Sequence, residues 1–424
     1  MQSTVLFYII ITLNIAFNIK SAYNYNMLYK ISIENFFSIA DCQELTFEVP
    51  ANAPDLACFK LSRSDQKTRL PAVVGFFGPN ASGKSTILRA VVSAVLFALR
   101  SFDREDQINN LFQPYRQKNW WGRPTKITIE FDSQLSDSDP SAIFRYELHV
   151  GHQAKDFGNK VVLYEALSYA PKGKFRRLFE RKEQEFDFGR EFDISNAKDP
   201  RTQSIRPNAS VISTLAKFNH PLSSYLNKVI AVLQSNIIGV YKIQQNVNQS
   251  LSIYLNDKNC LERLNRELRR LDIGLESMTI EMGNQGAFAK FKHAGLDEFI
   301  FFDEESAGTK RFIEIFPRIH YALETGGTVL IDELDTDLHP LLLPEIFRWF
   351  SDSERNSRGA QLFFTAHNPG LLDDLEKEQV FLTEKPSGQA TRVYGARNIK
   401  GLRREPSLMR KYLSGELGAV PRIG

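Results

Sequence analysis

Residues Gly78-Pro-Asn-Ala-Ser-Gly83-Lys84-Ser85 limit what this chain can fold into more than any other part of it. They follow the pattern G-x-x-x-x-G-K-[ST]. In that pattern, glycines let backbone N–H groups close around a phosphate, the lysine reaches the β- and γ-phosphates, and the serine hydroxyl ligates Mg²⁺. The flanks agree with this reading. Residues 71–77 (PAVVGFF) form a short uninterrupted apolar run suited to a buried parallel strand, and residues 86–99 form an almost wholly apolar helix. The helix start adds the positive end of its dipole. Strand, glycine-rich turn and helix in this order predict an α/β nucleotide fold. ATP would be held by Gly78, Asn80, Ser82, Gly83, Lys84, Ser85 and Thr86.

A second element of a phosphate site is expected downstream. Gly327-Thr-Val-Leu-Ile-Asp332-Glu333 is an apolar strand that ends in two acids. Asp332, with Ser85, would complete the Mg²⁺ shell, and Glu333 could orient the attacking water. As an isolated pair these acids would read as a solvated strand end; a P-loop in the same chain favours the catalytic reading. Three further segments fall in a telling order: Glu305-Ser306-Ala307-Gly308-Thr309-Lys310 before the acids, Asp335-Thr-Asp-Leu-His-Pro340 directly after them, and Phe363-Phe-Thr-Ala-His367 beyond.

On these motifs the sequence resembles ABC/SMC-type ATPase heads and, among them, the RloA-like AAA ATPases. The resemblance extends over residues 27–423 and includes the closing run Tyr412-Leu-Ser-Gly415-Glu-Leu-Gly418-Ala-Val-Pro421. It implies a P-loop NTPase with a mixed central sheet flanked by helices, plus an inserted β-rich and helical lobe. It also implies that Ser306 and Gly308 face the γ-phosphate of a partner subunit, so that two chains sandwich two ATP molecules. Asp335 would line that interface, and His367 would sense the γ-phosphate. Gln113 is the candidate for the glutamine that bonds metal or water, with Asn109, Asn110 and Gln117 nearby as alternatives. Ala307 and Glu305 depart from the transporter signature, and no long heptad arms follow the P-loop helix.

The organisation expected is an apolar extension over 1–26, an N-terminal ATPase lobe over 27–125, an inserted strand-rich then helical region over 126–300, and a C-terminal lobe over 301–424. The apolar run 5–19 has no basic residue before it and carries Thr12, Asn14 and Asn18. It therefore suits a secretory signal poorly and is short for a membrane span. A start assigned upstream of Met27 accounts for it more simply. Three cysteines without C-x-x-C spacing argue against a disulfide framework or zinc site and fit a reducing compartment, with cytosol as the default. Thirty-two phenylalanines foretell aromatic cores and name no activity.

A net charge of +3 gives no whole-protein field for nucleic acid, so any such contact must be local. Two stretches could provide it: residues 172–182 (KGKFRRLFERK), and the helix carrying Arg263, Arg266, Arg269 and Arg270 opposite Leu261, Leu264, Leu268 and Leu271. Each also reads as an ordinary solvated or partner-facing surface. Only 57 residues follow His367, too few for an appended nuclease of the OLD type. The resemblance thus implies a dimerising ATPase that gates a separately encoded effector in bacterial antiphage defence. The alternative is a RecF-like repair clamp that grips DNA directly.

Overall fold

The computed structural model describes residues 27–105, 107–152, 158–194, 199–231, 233–238, 241–242, 247–270, 274–283, 286–386, 389–403 and 407–420. The 1–26 extension, Leu271 and Pro421 lie outside these residues. The chain opens with β1 (Leu28–Glu34) and β2 (Gln43–Thr46), an antiparallel pair, and then enters β3 (Val73–Phe77), the strand before the P-loop. Helix α1 (Lys84–Arg100) follows the loop. Strands β4 (Thr125–Ser133), β5 (Ala142–His152), β6 (Lys160–Ala170), β7 (Arg176–Lys182) and β8 (Glu185–Phe188) then build a meander onto β1. The result is one seven-stranded antiparallel sheet ordered β8-β7-β6-β5-β4-β1-β2. The β-rich stretch after residue 125 therefore extends the sheet that the N-terminal segment begins.

Helices α2 (Val211–Lys217) and α3 (Pro221–Ile230) lead to a two-residue strand, β9 (Gln234–Ser235). Helix α4 (Lys258–Arg270) packs on a small three-stranded sheet of β10 (Leu275–Gly283), β11 (Gly286–His293) and β12 (Ile300–Phe301). Then come α5 (Ala307–Thr325), β13 (Thr328–Ile331), α6 (Leu342–Ser351), β14 (Gln361–Thr365), β15 (Val380–Glu384) and β16 (Arg392–Gly395). The central sheet runs β9-β13-β14-β3-β15-β16, parallel except for the final antiparallel pair, so it is the mixed sheet the sequence predicts.

β3, β13 and β14 are buried at every position, because alternate side chains enter two different cores. Val74, Phe76, Leu330, Phe363 and Phe381 face the core shared with α1 and the seven-stranded sheet. Val73, Phe77, Val329, Ile331, Leu362 and Phe364 face the core shared with α5 and α6. This two-sided burial explains why the strands read as continuous apolar runs rather than alternating ones. Phenylalanine fills both layers: Phe47 meets Phe363 edge-on at 4.9 Å on one side, and Phe347 stacks on Phe364 at 5.0 Å on the other. Among the described residues no helix is long and apolar enough to cross a membrane.

Candidate functional site: a phosphate cradle beside a braced pair of acids

β3 delivers the chain to the P-loop at the C-terminal edge of the parallel strands, where open α/β sheets place their ligands. Gly83 caps α1 with φ +106, and a Cβ there would lie 2.2 Å from Thr391 Oγ1 and 2.9 Å from Ser38 Oγ, so only glycine fits. Lys84 is 5% exposed. Its Nζ donates to the carbonyls of Gly78 at 2.8 Å and Pro79 at 3.1 Å, and lies 3.5 Å from His367 Nδ1. Burial pushes the Lys84 pKa down, while Asp332, Asp335 and Glu333 pull the other way.

The hydroxyls of the loop are engaged in holding its shape. Ser82 Oγ lies 2.6 Å from Thr383 Oγ1, and Thr86 Oγ1 lies 3.0 Å from Ser38 Oγ. The Thr391 hydroxyl sits 2.7 Å from the Ser82 carbonyl and 2.9 Å from Ser38 Oγ. A cavity of about 500 Å³ opens over this loop, lined by Ser82, Gly83, Lys84, Ser85 and Thr86, by Gln113, Tyr115 and Arg116, and by Glu333, His367 and Lys385. Gln113 reaches this wall, with its Nε2 donating to Asn109 O at 2.6 Å. Asn80 is exposed and does not line the cavity.

The acids at the end of β13 are braced from both sides. Asp332 is 4% exposed, and the Asn236 amide clamps its backbone, accepting from its N–H at 2.8 Å and donating to its carbonyl at 2.9 Å. Thr365 Oγ1, at the end of neighbouring β14, donates to Asp332 Oδ1 and accepts from Glu333 N–H, both at 2.7 Å. One hydroxyl thus fixes the Asp332 carboxylate and the start of the next residue together. Glu333 has φ +52, a strained setting for a non-glycine residue, and its Oε1 lies 4.0 Å from His367 Nε2. Asp335 Oδ2 accepts from the N–H groups of His367 at 2.8 Å and Asn368 at 2.7 Å, which sets the direction of the histidine.

This donor set suits a nucleotide triphosphate with a divalent cation. The buried Lys84 and the N-terminus of a 17-residue helix meet Glu333 and His367 at the cavity, and Asp332 lies buried directly before Glu333. Among the described residues no three His, Cys, Asp or Glu side chains converge as a metal cage. A cation held by Ser85 and Asp332 would therefore take its other ligands from phosphate and water, the usual arrangement for Mg²⁺.

The signature segment stands apart from this cavity. Ser306 caps α5, its Oγ accepting from Thr309 N–H at 3.0 Å. A Cβ on Gly308 would come within 2.8 Å of the Asp337 carbonyl, so glycine permits the close approach of α5 to the segment after Glu333. Ser306 is exposed, and neither Ser306 nor Gly308 lines the cavity of its own chain. Several site residues were not singled out by sequence reasoning: Asn236, Thr365, Ser38, Thr391, Arg116 and Lys385. Thr365 had a signal, since it directly precedes the Ala-His of the quoted strand end. Arg116 lies three residues beyond the candidate Gln113, and the others are single polar residues far from the motifs they serve.

In sequence, residues 73–373 match the family described as "AAA domain, putative AbiEii toxin, Type IV TA system". No curated protein matches the chain significantly. Among solved structures, an SMC head bound to the C-winged helix domain of ScpA is similar with a TM-score of 0.47 and 11% identity, covering 90% of this chain and 99% of that one. The SMC head domain from Thermotoga maritima gives 0.41 and 15%, covering 87% and 98%. An SMC head with an extended coiled coil from Pyrococcus furiosus, bound to the C-terminal domain of ScpA, gives 0.43 and 13%, covering 92% and 99%. These similarities are remote, and the α/β P-loop fold rests on the strand order and loop positions given above. The family match runs from the P-loop strand past the acids of β13 and His367 and includes most of the cavity lining, and by that match the chain belongs to this AAA family.

Proposed function

We propose that the chain is a Mg²⁺-dependent ATPase whose sites are completed by a second copy, and that it gates a separately encoded effector in bacterial defence as RloA-like ATPases do. The observation that carries the ATPase reading is the convergence of Lys84, Glu333 and His367 on one cavity, with Thr365 bridging Asp332 and Glu333. Bound Mg²⁺ would supply charge neutralisation at the phosphates. Lys84 would leave the carbonyls of Gly78 and Pro79 for the β- and γ-phosphate oxygens, and Ser85 would turn its hydroxyl to the cation. Glu333, aimed by the Thr365 hydroxyl at its own N–H, would hold the attacking water and accept hydrogen bonding from it. His367, its backbone fixed by Asp335, would report the γ-phosphate to the end of β14.

The exposed Ser306 at the head of a 19-residue helix supports completion in trans, because this helix start faces solvent and does not line the chain's own cavity. The family description, which names a toxin and a toxin–antitoxin system, supports the defence role. A DNA-clamp reading finds less support. In the 172–182 stretch Arg181 is fully buried beside Glu165, and Arg177 and Lys182 pair with Glu180 and Asp187. On α4, Arg263 pairs with Glu324, and Arg270 pairs with Glu267 and Glu345. The test is ATP turnover by the purified chain beside Lys84→Ala and Glu333→Gln. Phosphate release by wild type alone, with ATP retained by Glu333→Gln, is expected; equal turnover by all three would overturn the reading.

A further inference from the structure

Two exposed segments flank the two halves of the proposed composite site, and they carry opposite charge. On the rim of the nucleotide cavity, residues 113–123 (QPYRQKNWWGR) contain Arg116, Lys118 and Arg123 and no acid. Tyr115 and Arg116 line the cavity itself, so this strip begins where the nucleotide would sit. Its aromatic residues give it shape: Tyr115 meets Trp120 edge-on at 6.4 Å, Arg123 lies over Trp120 at 4.5 Å, and Trp121 is 61% exposed.

Before the buried Glu305, which adjoins Ser306, residues 297–304 (DEFIFFDE) contain Asp297, Glu298, Asp303 and Glu304 and no base. All four are exposed, and Phe299 and Phe301 between them are 51% and 49% exposed. Among the described residues, the nearby lysines form no ion pair with these carboxylates. Lys292 donates to the carbonyls of Leu296 and Asp297, and Lys310 donates to the Asp303 carbonyl. Among the described residues, neither the three cations of the first strip nor the four carboxylates of the second form an ion pair.

We infer that these strips are the two sides of one docking surface, and that its occupant is a second copy of this chain. The inference rests on the composite-site reading above. If Ser306 of one copy faces the P-loop of the other, the acidic aromatic strip beside Ser306 is brought toward the basic aromatic strip beside the partner's cavity. Two-fold symmetry repeats the contact with the roles exchanged, as an isologous interface requires. Aromatic residues on both sides supply apolar contact, and unpaired opposite charges supply steering and register. The same charges explain how heads could select one another over other P-loop surfaces: a partner lacking the matching acidic strip would leave Lys118 and Arg123 unpaired against it.

The test is charge exchange in the full chain carrying Glu333→Gln, with mass followed by light scattering in ATP and Mg²⁺ at low and high salt. Lys118→Glu with Arg123→Glu should weaken ATP-dependent dimerisation by about tenfold or more, and Glu298→Lys with Asp303→Lys should do the same. Binding of a fluorescent ATP analogue, unchanged in both, confirms that each variant is folded. An equimolar mixture of the two should recover a heterodimer, because one strip-to-strip contact is then the original one and the other sets the two introduced glutamates against the two introduced lysines. If the parent dimerises with ATP but the exchanged variants dimerise equally well, or the mixture fails to recover, the docking inference falls while the composite-site reading stands. If the strip variants lose affinity for a DNA oligonucleotide and keep the dimer, the basic strip serves nucleic acid and the inference is likewise overturned. If the parent stays monomeric with ATP bound, both fall together.

Discussion

The two ends of the proposed chemistry are built on opposite principles. At the P-loop and the β13 acids, the key elements are tied down: Gly83 admits no side chain, the Ser82 and Thr86 hydroxyls are bonded inside the cradle, and Asp332 is braced by Asn236 and Thr365. At the signature, Ser306 is exposed and the strip before it presents carboxylates and phenylalanines to solvent. A preorganised, water-poor cradle is what phosphoryl transfer demands, since positioning and fixed dipoles do most of the work. An exposed helix start with an uncompensated surface beside it is what a contact made only on assembly demands. The first region should respond to mutation through chemistry within one chain, and the second through the presence of a partner.

The largest effect that could break this contrast is at Glu333. Glu333→Gln should lower kcat by roughly 10²–10³ while keeping ATP bound, as expected when a residue acts mainly on the transition state. Single-turnover phosphate release beside equilibrium ATP binding separates the two. Lys84→Ala should instead weaken ATP binding itself, by about a hundredfold, because the buried cation of the cradle is lost; titration calorimetry would read this directly.

Thr365→Val sharpens the comparison within the first region. It leaves the Asp332 Oδ1 and Glu333 N–H bonds unmade, and burial makes such losses cost about 1–3 kcal/mol in stability. Turnover should fall about tenfold with little change in ATP affinity, whereas Thr365→Ser should keep most of both. Smallest for the isolated chain is Ser306→Ala. Losing the cap on α5 should cost about 1 kcal/mol by chemical denaturation. If Ser306 also acts in trans, the loss of turnover will grow with protein concentration relative to wild type, and a purely structural cap would give no such dependence.

How much of this could be read from sequence follows the same division. The P-loop, its strand and helix, and the Asp332-Glu333 strand end were legible because each is a local run whose burial and spacing are set by its own residues. The α/β character followed from those runs, and the mixed central sheet from the resemblance to ABC/SMC-type heads. The sheet that joins β1 to β4 and the meander beyond was not legible as one object, since alternating patterns reveal strands and not which edges pair. The bracing of the site was hidden for a related reason. Asn236 reaches Asp332 across 96 positions, and Thr391 meets Ser38 across 353, and nothing in a single polar residue announces a partner that far away. Gln113 lay on the cavity wall, although its present bond to Asn109 is a detail of the turn that spacing could not foretell. The basic stretches were legible as charge, but their pairing with Glu180, Asp187, Glu324 and Glu345 depends on register and packing.

The central claim is that a chain with its own complete cradle still needs a second copy to place Ser306 at the γ-phosphate. Its most direct test is the mass of the full chain carrying Glu333→Gln, measured by light scattering with and without ATP and Mg²⁺, with bound nucleotide quantified in the same fractions. The account predicts a monomer without nucleotide and a dimer or larger assembly with it. A monomer that demonstrably holds ATP would contradict it and leave a P-loop ATPase whose signature helix acts only as part of its own fold.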